Sequence, residues 1–546
     1  MNIIKYTAVL VLGATLCFNN TVNAQEITLT APPPPQNWHA MDLKTDGYYG
    51  VSLNSAYEFL KGKKSKPVVV ATIDSGIDTL QKDLKNILWI NPKEIPGNGI
   101  DDDHNGYVDD IHGWNFLGGP GGKCDYNETT EEMREYSKLK DKYLNASASS
   151  FPKKDYDYWL KVKAVHDSTF NKSSAEIQQL TPVMSILVGT SGYIKRELNL
   201  KPADTFELKD LDKIQTTNDT VRECKNVWTS FFQQEGPTSN SARVIKDLND
   251  YLTKLNNDIN PDLEARKRIV GDNPDDFNDK KYGSNQLKFA DAMHGTMVAG
   301  FIGAQRGNGY GIDGIADNVR IMAIKAVPNG DEYDKDIANA IRYAVDNGAK
   351  VVNMSFGKKI SPHKNWVDAA FKYAAAHDVL LVSAAGNDNE DVDSTADYPN
   401  DTFEDGSSAD ADNVINVGAS GPRNNEKLAA EFSNYGKKNV DLFAPGVKVT
   451  SVMMDAEMNT EDGTSFASPI TAGIAALILE YYPNLSSKQI KQAILQSARP
   501  LTGVMVLKPG SKDEKVDFST LSKTGGIVNA HDALVIASKM KGERKK

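Results

Sequence analysis

Four short segments carry the residue types that nucleophilic acyl transfer needs. Their key residues are Asp74, His294, Asn387 and Ser465. A serine hydroxyl is a poor nucleophile until a base takes its proton, and an imidazole can do this near neutral pH. A carboxylate holds the imidazole in the required tautomer, and an amide donor can stabilise the negative oxygen of the transition state. These residue types together predict catalysis by an activated serine.

Each of the four residues also has a purely structural interpretation. The Asp-Ser-Gly run that begins at Asp74 is often a turn, and Asn387 after a glycine is compatible with another turn. Ser465 is compatible with a helix cap, and His294 with the first turn of a helix. Four such segments in one chain are harder to explain by four separate structural roles, so we favour the catalytic interpretation.

The four residues lie where the sequence predicts that strands end and helices begin. Residues 68–73 are a β-branched run, which predicts a buried parallel strand that ends at Asp74. Asn387 follows another apolar run, and His294 and Ser465 each open a helical run. Because α/β sheets present functional groups at such ends, the four side chains are expected at one crevice.

Further predicted strands alternate with predicted helices. The strands are expected at residues 320–326, 350–354, 379–383 and 414–417, and the helices at 336–347 and 365–377. Strands that alternate with helices imply βαβ units. The sequence therefore predicts an α/β fold in three layers, with a mainly parallel sheet between helices.

Residues 118–287 interrupt this alternation, because they have little strand character and many charges. Met133, Tyr136 and Tyr143 recur at helical spacing, and Ser173 with the glutamate three residues later forms a capping-box pattern. The segment is predicted to be a helical insertion within the main domain. Two roles stay open, which are restricting access to the crevice and adding stability alone.

The composition is that of an ordinary folded protein. Of 546 residues, 40% are hydrophobic and 25% are charged, and the net charge is −11. The acidic balance argues against a nucleic-acid partner, because a phosphate backbone needs a basic face. Cys124 and Cys224 are compatible with one disulfide in an oxidising compartment and equally with two free thiols. The oligomeric state is not predicted.

The N-terminus has the pattern of a secretory signal. Lys5 is followed by an apolar stretch at residues 6–18, and Ala24 ends a small-residue cleavage motif. Residues 1–24 are therefore predicted to be a signal peptide, and the mature protein is expected to be periplasmic or extracellular. A buried N-terminal helix and a lipoprotein signal at Cys17 are the alternatives. No later segment approaches a membrane span.

The order and the local sequence of the four segments resemble the subtilisin-like serine proteases, the subtilases. The resembling segments are residues 73–78, 294–300, 383–387 and 463–469, with further matches at 353–357, 432–436, 443–446 and 525–530. The resemblance extends over about residues 38–118 and 289–539. All the blocks that carry the catalytic groups of the family are present, so the resemblance is specific.

The resemblance implies an exported serine endopeptidase that acts on peptide or protein substrates through an acyl-enzyme. Ser465 would attack the peptide bond, His294 would act first as base and then as acid, and Asp74 would orient the imidazole. Asn387 and the backbone N–H of Ser465 would form the oxyanion hole. No cofactor is expected for catalysis. The alternative is a catalytically silent peptide-binding protein that retains the fold.

The same resemblance identifies residues that would line the substrate crevice. They are Ser355, Phe356, Gly357, Ala384, Ala385 and Gly386. Such small residues are expected to leave room for a large apolar side chain. Two positions depart from the family pattern, since Met297 replaces a second histidine and Phe466 replaces the commoner methionine after the nucleophile. A lipase or esterase is disfavoured, because that fold expects Gly-x-Ser-x-Gly and the serine first in the chain.

The chain is thus predicted to have five parts. They are a signal peptide at 1–24, an N-terminal extension at 25–67, a subtilisin-like peptidase domain at 68–540, the insertion at 118–287 within it, and a basic tail at 541–546. The N-terminal extension is too short for the folded inhibitory propeptide that is usual in the family.

Two groups of residues are candidate calcium ligands. Residues 101–109 have the D-x-D-x-N-G spacing of a calcium loop, although His112 stands where an EF-hand has its glutamate. The candidate ligands in this loop are Asp101, Asp103, Asn105 and Asp109. A solvated acidic turn is the alternative. Asp83 and Asn308 match positions that bind a structural calcium in subtilisins.

Overall fold

The computed structural model describes residues 32–235, 240–407 and 410–544. The predicted signal peptide, residues 1–24, and Cys17 lie outside the described residues. The chain divides into two compact units. One unit contains Pro32–Glu131 and Leu263–Lys546, and we call it the sheet unit. The other contains Glu132–Asp262, and we call it the helical unit.

A nine-stranded sheet forms the centre of the sheet unit. Its strands in chain order are β1 Val68–Asp74, β2 Gly113–Asn115, β3 Val319–Lys325, β4 Val351–Met354, β5 Leu380–Ala384, β6 Val414–Ser420, β7 Leu442–Pro445, β8 Arg499–Pro500 and β9 Gly526–Ile527. Their spatial order is β8-β9-β7-β6-β5-β4-β1-β3-β2. Three two-stranded hairpins lie outside this sheet, at Gly118–Gly119 with Lys123–Cys124, Val449–Val452 with Met458–Glu461, and Met505–Leu507 with Lys515–Asp517.

The sheet is parallel except where the short strands β8 and β9 pair. Strand β1 lies between β3 and β4, with Asp74 opposite Lys325 and Ile73 opposite Met354. All residues of β1 except Val69 are buried, because helices cover both faces of the sheet. The predicted α/β fold with a mainly parallel sheet is confirmed.

The α-helices of the described residues alternate with these strands and also fill the helical unit. In chain order they are α1 Leu43–Asp46, α2 Leu53–Leu60, α3 Glu131–Tyr143, α4 Lys153–Glu197, α5 Leu208–Leu211, α6 Asp219–Glu235, α7 Ser241–Ile259, α8 Ala265–Ile269, α9 Met293–Gly303, α10 Asp334–Asp346, α11 Lys364–Ala376, α12 Thr464–Tyr481, α13 Ser487–Ser497 and α14 Ala530–Ala537.

Helix α12 is the central helix of the sheet unit. It is apolar over almost its whole length and nearly all of its residues are buried. It packs against α9 and against strands β4 to β7. The opposite face of the sheet is covered by α10 and α11, whose apolar residues form a second core cluster. The contacts with the sheet and with α9 therefore hold the N-terminus of α12 at a fixed place beside the strand ends.

The helical unit has a hydrophobic core of its own. Helix α4 packs against α6 and α7, and the fully buried Trp228 and Phe206 lie in the centre of the cluster. The capping box predicted at Ser173 is wrong, because this serine lies inside α4 and its hydroxyl donates to Asp258 Oδ2 at 3.1 Å. The insertion boundaries 118–287 stay a prediction.

Two further observations bear on predictions made above. Cys124 and Cys224 are both unpaired thiols in the described part of the chain. Between residues 32 and 544, leaving aside 236–239 and 408–409, no helix combines the length and the apolar character needed to cross a membrane.

Candidate active site

The first two predicted residues meet at the edge of the sheet. Asp74 is the last residue of β1, and His294 is in the first turn of α9. Asp74 Oδ1 lies 2.7 Å from His294 Nδ1 and also accepts the backbone N–H of Ser75 at 2.7 Å. Asp74 is 2% exposed, whereas the His294 side chain is 33% exposed. The carboxylate therefore fixes one ring nitrogen, and solvent reaches the imidazole.

The close approach of α9 to the end of β1 depends on a glycine. A methyl group at Gly295 would lie 2.0 Å from the carbonyl oxygen of Gly76 and 3.1 Å from Asp74 Oδ1. No side chain fits at these distances. The glycine after His294 is thus required for the imidazole to reach Asp74.

The electrostatics of this pair affect the basicity of the imidazole. Burial acts to lower the pKa of His294, but the negative charge of Asp74 and the hydrogen bond between the two side chains raise it more. The net effect places the pKa of His294 above its ordinary value of 6.5. An imidazole with a raised pKa is a stronger base and accepts a proton more readily.

Ser465 lies beside the end of strand β4. It is the second residue of α12, and its hydroxyl donates to the backbone oxygen of Ser355 at 3.4 Å. In return the hydroxyl of Ser355 donates to the backbone oxygen of Ser465 at 2.8 Å. The next ring, that of Phe466, has its centroid 5.5 Å from that of His294. Ser465 is therefore held at the end of β4, and the residue that follows it lies beside His294.

Asn387 is fixed by the residue that precedes Ser465. The backbone N–H and the hydroxyl of Thr464 both donate to Asn387 Oδ1, each at 2.9 Å. A backbone N–H can only donate, so the amide oxygen must face Thr464 and Nδ2 must face away from it. Asn387 is exposed. Its Nδ2 is thus a donor held at a defined place near Ser465.

The segments predicted to line the crevice follow two neighbouring strands. Residues 355–357 come directly after β4, and residues 384–386 lie at the end of β5. Sequence analysis missed one residue here. The carboxylate of Asp397 lies against both segments, because a methyl group at Gly386 would be 2.8 Å from Oδ2 and one at Gly357 would be 3.7 Å from Oδ1. The expected room for an apolar side chain therefore has a carboxylate at its wall.

The acidic loop gathers some of the candidate calcium ligands. Asp101 and Asp103 lie with Glu94, and their carboxylate oxygens are within 4.8 Å of one another. Within the described chain, none of the three forms an ion pair with a lysine or arginine. Asn105 lies beside them, since its backbone N–H donates to Asp101 and Asp103. Three carboxylates of this kind fit a hard cation such as calcium.

One predicted ligand, Asp109, is placed differently, and one member of the group, Glu94, was not predicted. The carboxylate of Asp109 accepts the backbone N–H groups of residues 97, 98 and 99, so it is outside the group formed by Glu94, Asp101 and Asp103. Sequence spacing alone could not find Glu94, because it precedes the D-x-D-x-N-G motif. Its oxygens accept the backbone N–H groups of 102, 103 and 109.

The structure also brings Asp83 and Asn308 together. Asn308 Nδ2 donates to Asp83 Oδ1, and the backbone N–H of Ile312 donates to Asp83 Oδ2 at 3.1 Å. Asp83 is 1% exposed, and burial raises the pKa of its carboxyl. A buried carboxylate with only neutral donors fits a nearby cation.

Comparison with known proteins identifies the family. The profile of the Subtilase family matches residues 65–525. The chain is 39% identical over 244 residues to the thermophilic serine proteinase of Bacillus sp. (strain AK1), which covers 44% of this chain and 54% of that protein. It is 37% identical over 212 residues to subtilisin DY of Bacillus licheniformis, which covers 38% of this chain and 71% of that protein.

The chain thus spans about half the length of the first of these relatives. A solved protease structure from Pseudoalteromonas arctica aligns with 92% of this chain and 97% of its own, at 18% identity and a TM-score of 0.46. The family profile alone covers most of the sequence, including the segments that contain Asp74, His294, Asn387 and Ser465. The chain belongs to the subtilase family.

Proposed function

We propose that this protein is a serine-type endopeptidase that hydrolyses peptide bonds through an acyl-enzyme on Ser465. The observation that carries the proposal is the 2.7 Å contact between Asp74 Oδ1 and His294 Nδ1. An imidazole with one nitrogen fixed by a buried carboxylate has its other nitrogen available as a base. Membership of the subtilase family supports the same activity.

Acylation uses the four groups in sequence. Ser465 Oγ attacks the carbonyl carbon of the scissile bond while His294 Nε2 takes the hydroxyl proton. Asp74 stabilises the imidazolium that forms. The carbonyl oxygen becomes negative and accepts hydrogen bonds from the backbone N–H of Ser465 and from Asn387 Nδ2. His294 then gives its proton to the leaving amine, the C–N bond breaks, and an ester to Ser465 remains.

Deacylation repeats the same steps with water. His294 takes a proton from a water molecule, whose oxygen attacks the ester carbon. The oxyanion again accepts from Ser465 N–H and Asn387 Nδ2. The bond to Ser465 Oγ breaks, the serine regains its proton from His294, and a carboxylic acid leaves. Every proton passes through one imidazole, so no cofactor is required.

We also propose that the protein is exported and holds calcium in a structural role. The charged and apolar pattern of residues 1–24 supports export, and N-terminal sequencing of the secreted or periplasmic protein should begin at Gln25. The Glu94, Asp101 and Asp103 group supports a calcium site that stabilises the sheet unit.

A serine-directed probe tests the proposed activity. Purified wild-type protein should be labelled by a fluorophosphonate at Ser465, and Ser465→Ala should lose both the label and peptide hydrolysis by several orders of magnitude. Ser538→Ala is the matched control, because Ser538 is exposed and caps α14. Unlabelled wild-type protein that binds peptides without cleaving them would instead support a silent peptide-binding protein.

A further inference from the structure

The carboxylate of Asp397 lies in the wall of the proposed substrate crevice. Its oxygens approach the backbones of both crevice segments. A methyl group at Gly386 would collide with Oδ2 at 2.8 Å, and one at Gly357 would be in ordinary van der Waals contact with Oδ1 at 3.7 Å. The Asp397 side chain is 16% exposed, so it is largely enclosed but still reached by solvent. The lack of a side chain at Gly386 therefore leaves space for the carboxylate of Asp397 beside the crevice segments.

These two crevice segments are connected directly to the proposed catalytic groups. Ser355 exchanges two hydrogen bonds with Ser465, and Gly357 follows two residues later. Gly386 donates its backbone N–H to Thr464 Oγ1 at 3.2 Å and is followed by Asn387. A substrate carbonyl held at Ser465 and Asn387 therefore places the side chain of the same residue between the two segments and toward Asp397.

Asp397 is held by neutral donors. The buried Asn434 donates Nδ2 to Asp397 Oδ2 at 3.3 Å and to the backbone oxygen of Ala385 at 2.9 Å. The backbone N–H of Tyr398 donates to Asp397 Oδ1 at 3.2 Å. These contacts orient the carboxylate against the crevice wall without neutralising its charge.

The nearest cation is shared among three carboxylates. Lys359 Nζ lies 3.7 Å from Asp397 Oδ2, but it is closer to Asp388, at 2.8 Å, and to Glu390, at 2.9 Å. One positive charge against three negative charges leaves the region acidic. A second cation that enters the crevice would therefore meet an attractive field.

Titration of Asp397 agrees with this arrangement. Burial and the charges of Asp388 and Glu390 raise the pKa of Asp397 to about 7, although Lys359 acts to lower it. A carboxyl group with such a pKa is destabilised as an anion and gains most from an added positive charge. A guanidinium or ammonium in the crevice would displace the proton and pair with the carboxylate.

We propose that Asp397 makes this protease selective for substrates whose residue on the N-terminal side of the scissile bond is arginine or lysine. This specificity depends on the endopeptidase activity proposed above, and it defines the substrate class of that activity. It replaces the expectation of a large apolar side chain at this place. Arginine should be preferred to lysine, because its planar guanidinium can pair with both carboxylate oxygens.

The test compares peptides that differ only at that residue. Matched fluorogenic peptides carry arginine, lysine, glutamine or norleucine, where norleucine has the lysine stem without its charge. Wild-type protein should cleave the arginine and lysine peptides with a kcat/KM about 10²-fold above that for norleucine. A wild-type preference for norleucine over both basic residues overturns the proposal without any mutant.

The variant Asp397→Asn keeps the size of the side chain and removes its charge. It should lose most of the arginine-to-norleucine ratio of kcat/KM, about 10²-fold. Asp412→Asn is the control, because Asp412 forms an exposed ion pair with Lys488. The same charge change there should leave the ratio unaltered.

The outcomes separate the two proposals. If the serine probe does not label Ser465 and no peptide is cleaved, the endopeptidase activity itself is wrong. If Ser465 is labelled and peptides are cleaved, but Asp397→Asn leaves the ratio as in wild type, only the role of Asp397 is overturned. Should Asp397→Asn not fold, the wild-type profile over the four peptides decides alone.

Discussion

The backbone N–H and the hydroxyl of Thr464 both donate to a single acceptor, Asn387 Oδ1, and both distances are 2.9 Å. This double contact ties the residue before the proposed nucleophile to the proposed oxyanion donor. Because the acceptor is the amide oxygen, the orientation of Asn387 Nδ2 is set by the helix that also carries Ser465. The donor is thus fixed before a substrate binds, which is the condition for effective electrostatic stabilisation.

The first prediction follows from that contact. Asn387→Ala removes the donor and should lower kcat about 10²- to 10³-fold with little change in KM, because the bond forms to the oxygen that becomes charged in the transition state. Steady-state kinetics with one peptide substrate measures both constants. A loss that appeared only in KM would contradict the role.

Thr464 supplies a graded control for the same prediction. Thr464→Ser keeps the hydroxyl and should stay near wild type, whereas Thr464→Val removes it and should lower kcat by a smaller factor than Asn387→Ala. In the double variant Asn387→Ala with Thr464→Val, the second change should add little, because the two residues act through one amide. Additive losses would show that Thr464 acts by another route.

The second prediction concerns pH. Only the neutral imidazole can take the serine proton, so activity requires a pH above the pKa of His294. Burial lowers that pKa, but the charge and hydrogen bond of Asp74 raise it more, so it lies above 6.5. The acid limb of the kcat/KM profile should therefore have its midpoint above pH 6.5. Activity should be lost as the pH drops through that midpoint.

The matched variant for this pH profile is Asp74→Asn. It removes the charge that raises the pKa of His294, so the acid limb should move to lower pH while the maximal rate falls steeply. The norleucine peptide should be used, because burial raises the pKa of Asp397 to about 7 and this group would add its own limb with a basic substrate. Identical limbs in both proteins would argue against the Asp74 effect.

The geometry around His294 was accessible to sequence reasoning for a physical reason. Asp74 ends a β-branched strand, and a parallel sheet places such ends at one edge, so residue type and strand pattern together predicted their neighbourhood. The same reasoning gave strands β1 and β3 to β6 and helices α10 and α11 within a few residues. Local pattern and tertiary structure agree here because burial on both faces determines the pattern.

The positions of Asp397 and Glu94 were not accessible in that way. Asp397 lies in an irregular segment, and its contact with Gly357 joins two separate segments of the chain. The capping box predicted at Ser173 was wrong for another reason. Its capping-box pattern is also compatible with a helix interior, and helix α4 continues through it to Glu197. Patterns of four residues do not reveal whether a helix has already begun.

The third prediction concerns calcium. An ion that binds only the folded state stabilises it, by about 2.7 kcal/mol when its concentration is 100 times Kd. Calcium should therefore raise the Tm of the protein relative to a sample in excess chelator. Asp103→Asn removes a charge from the group that it forms with Glu94 and Asp101 and should reduce the calcium-dependent part of the Tm.

Two comparisons make the calcium prediction decisive. Asp412→Asn, a change in an exposed ion pair, should keep the full calcium effect. Asp83→Asn, which alters the contact with Asn308, tests the second group separately. Equal Tm values with calcium and with chelator in the wild-type protein would refute both sites, whereas an effect lost only in Asp83→Asn would assign the ion to the Asn308 region.

The last prediction concerns the core of the helical unit. Trp228 is fully buried, its ring packs edge-on against Phe206 at 4.9 Å, and its Nε1 donates to Thr190 Oγ1 at 3.0 Å. Trp228→Ala should destabilise this unit by about 3–5 kcal/mol, because it leaves a large cavity. The apolar cores of the sheet unit contain none of these residues, so hydrolysis of a small peptide should continue while calorimetry shows a lowered transition for the helical unit. Phe170→Ala, at a side chain that is 40% exposed, is the control and should change the transition little. Loss of peptide hydrolysis in Trp228→Ala at a temperature where the sheet unit stays folded would show that the two units depend on each other for activity.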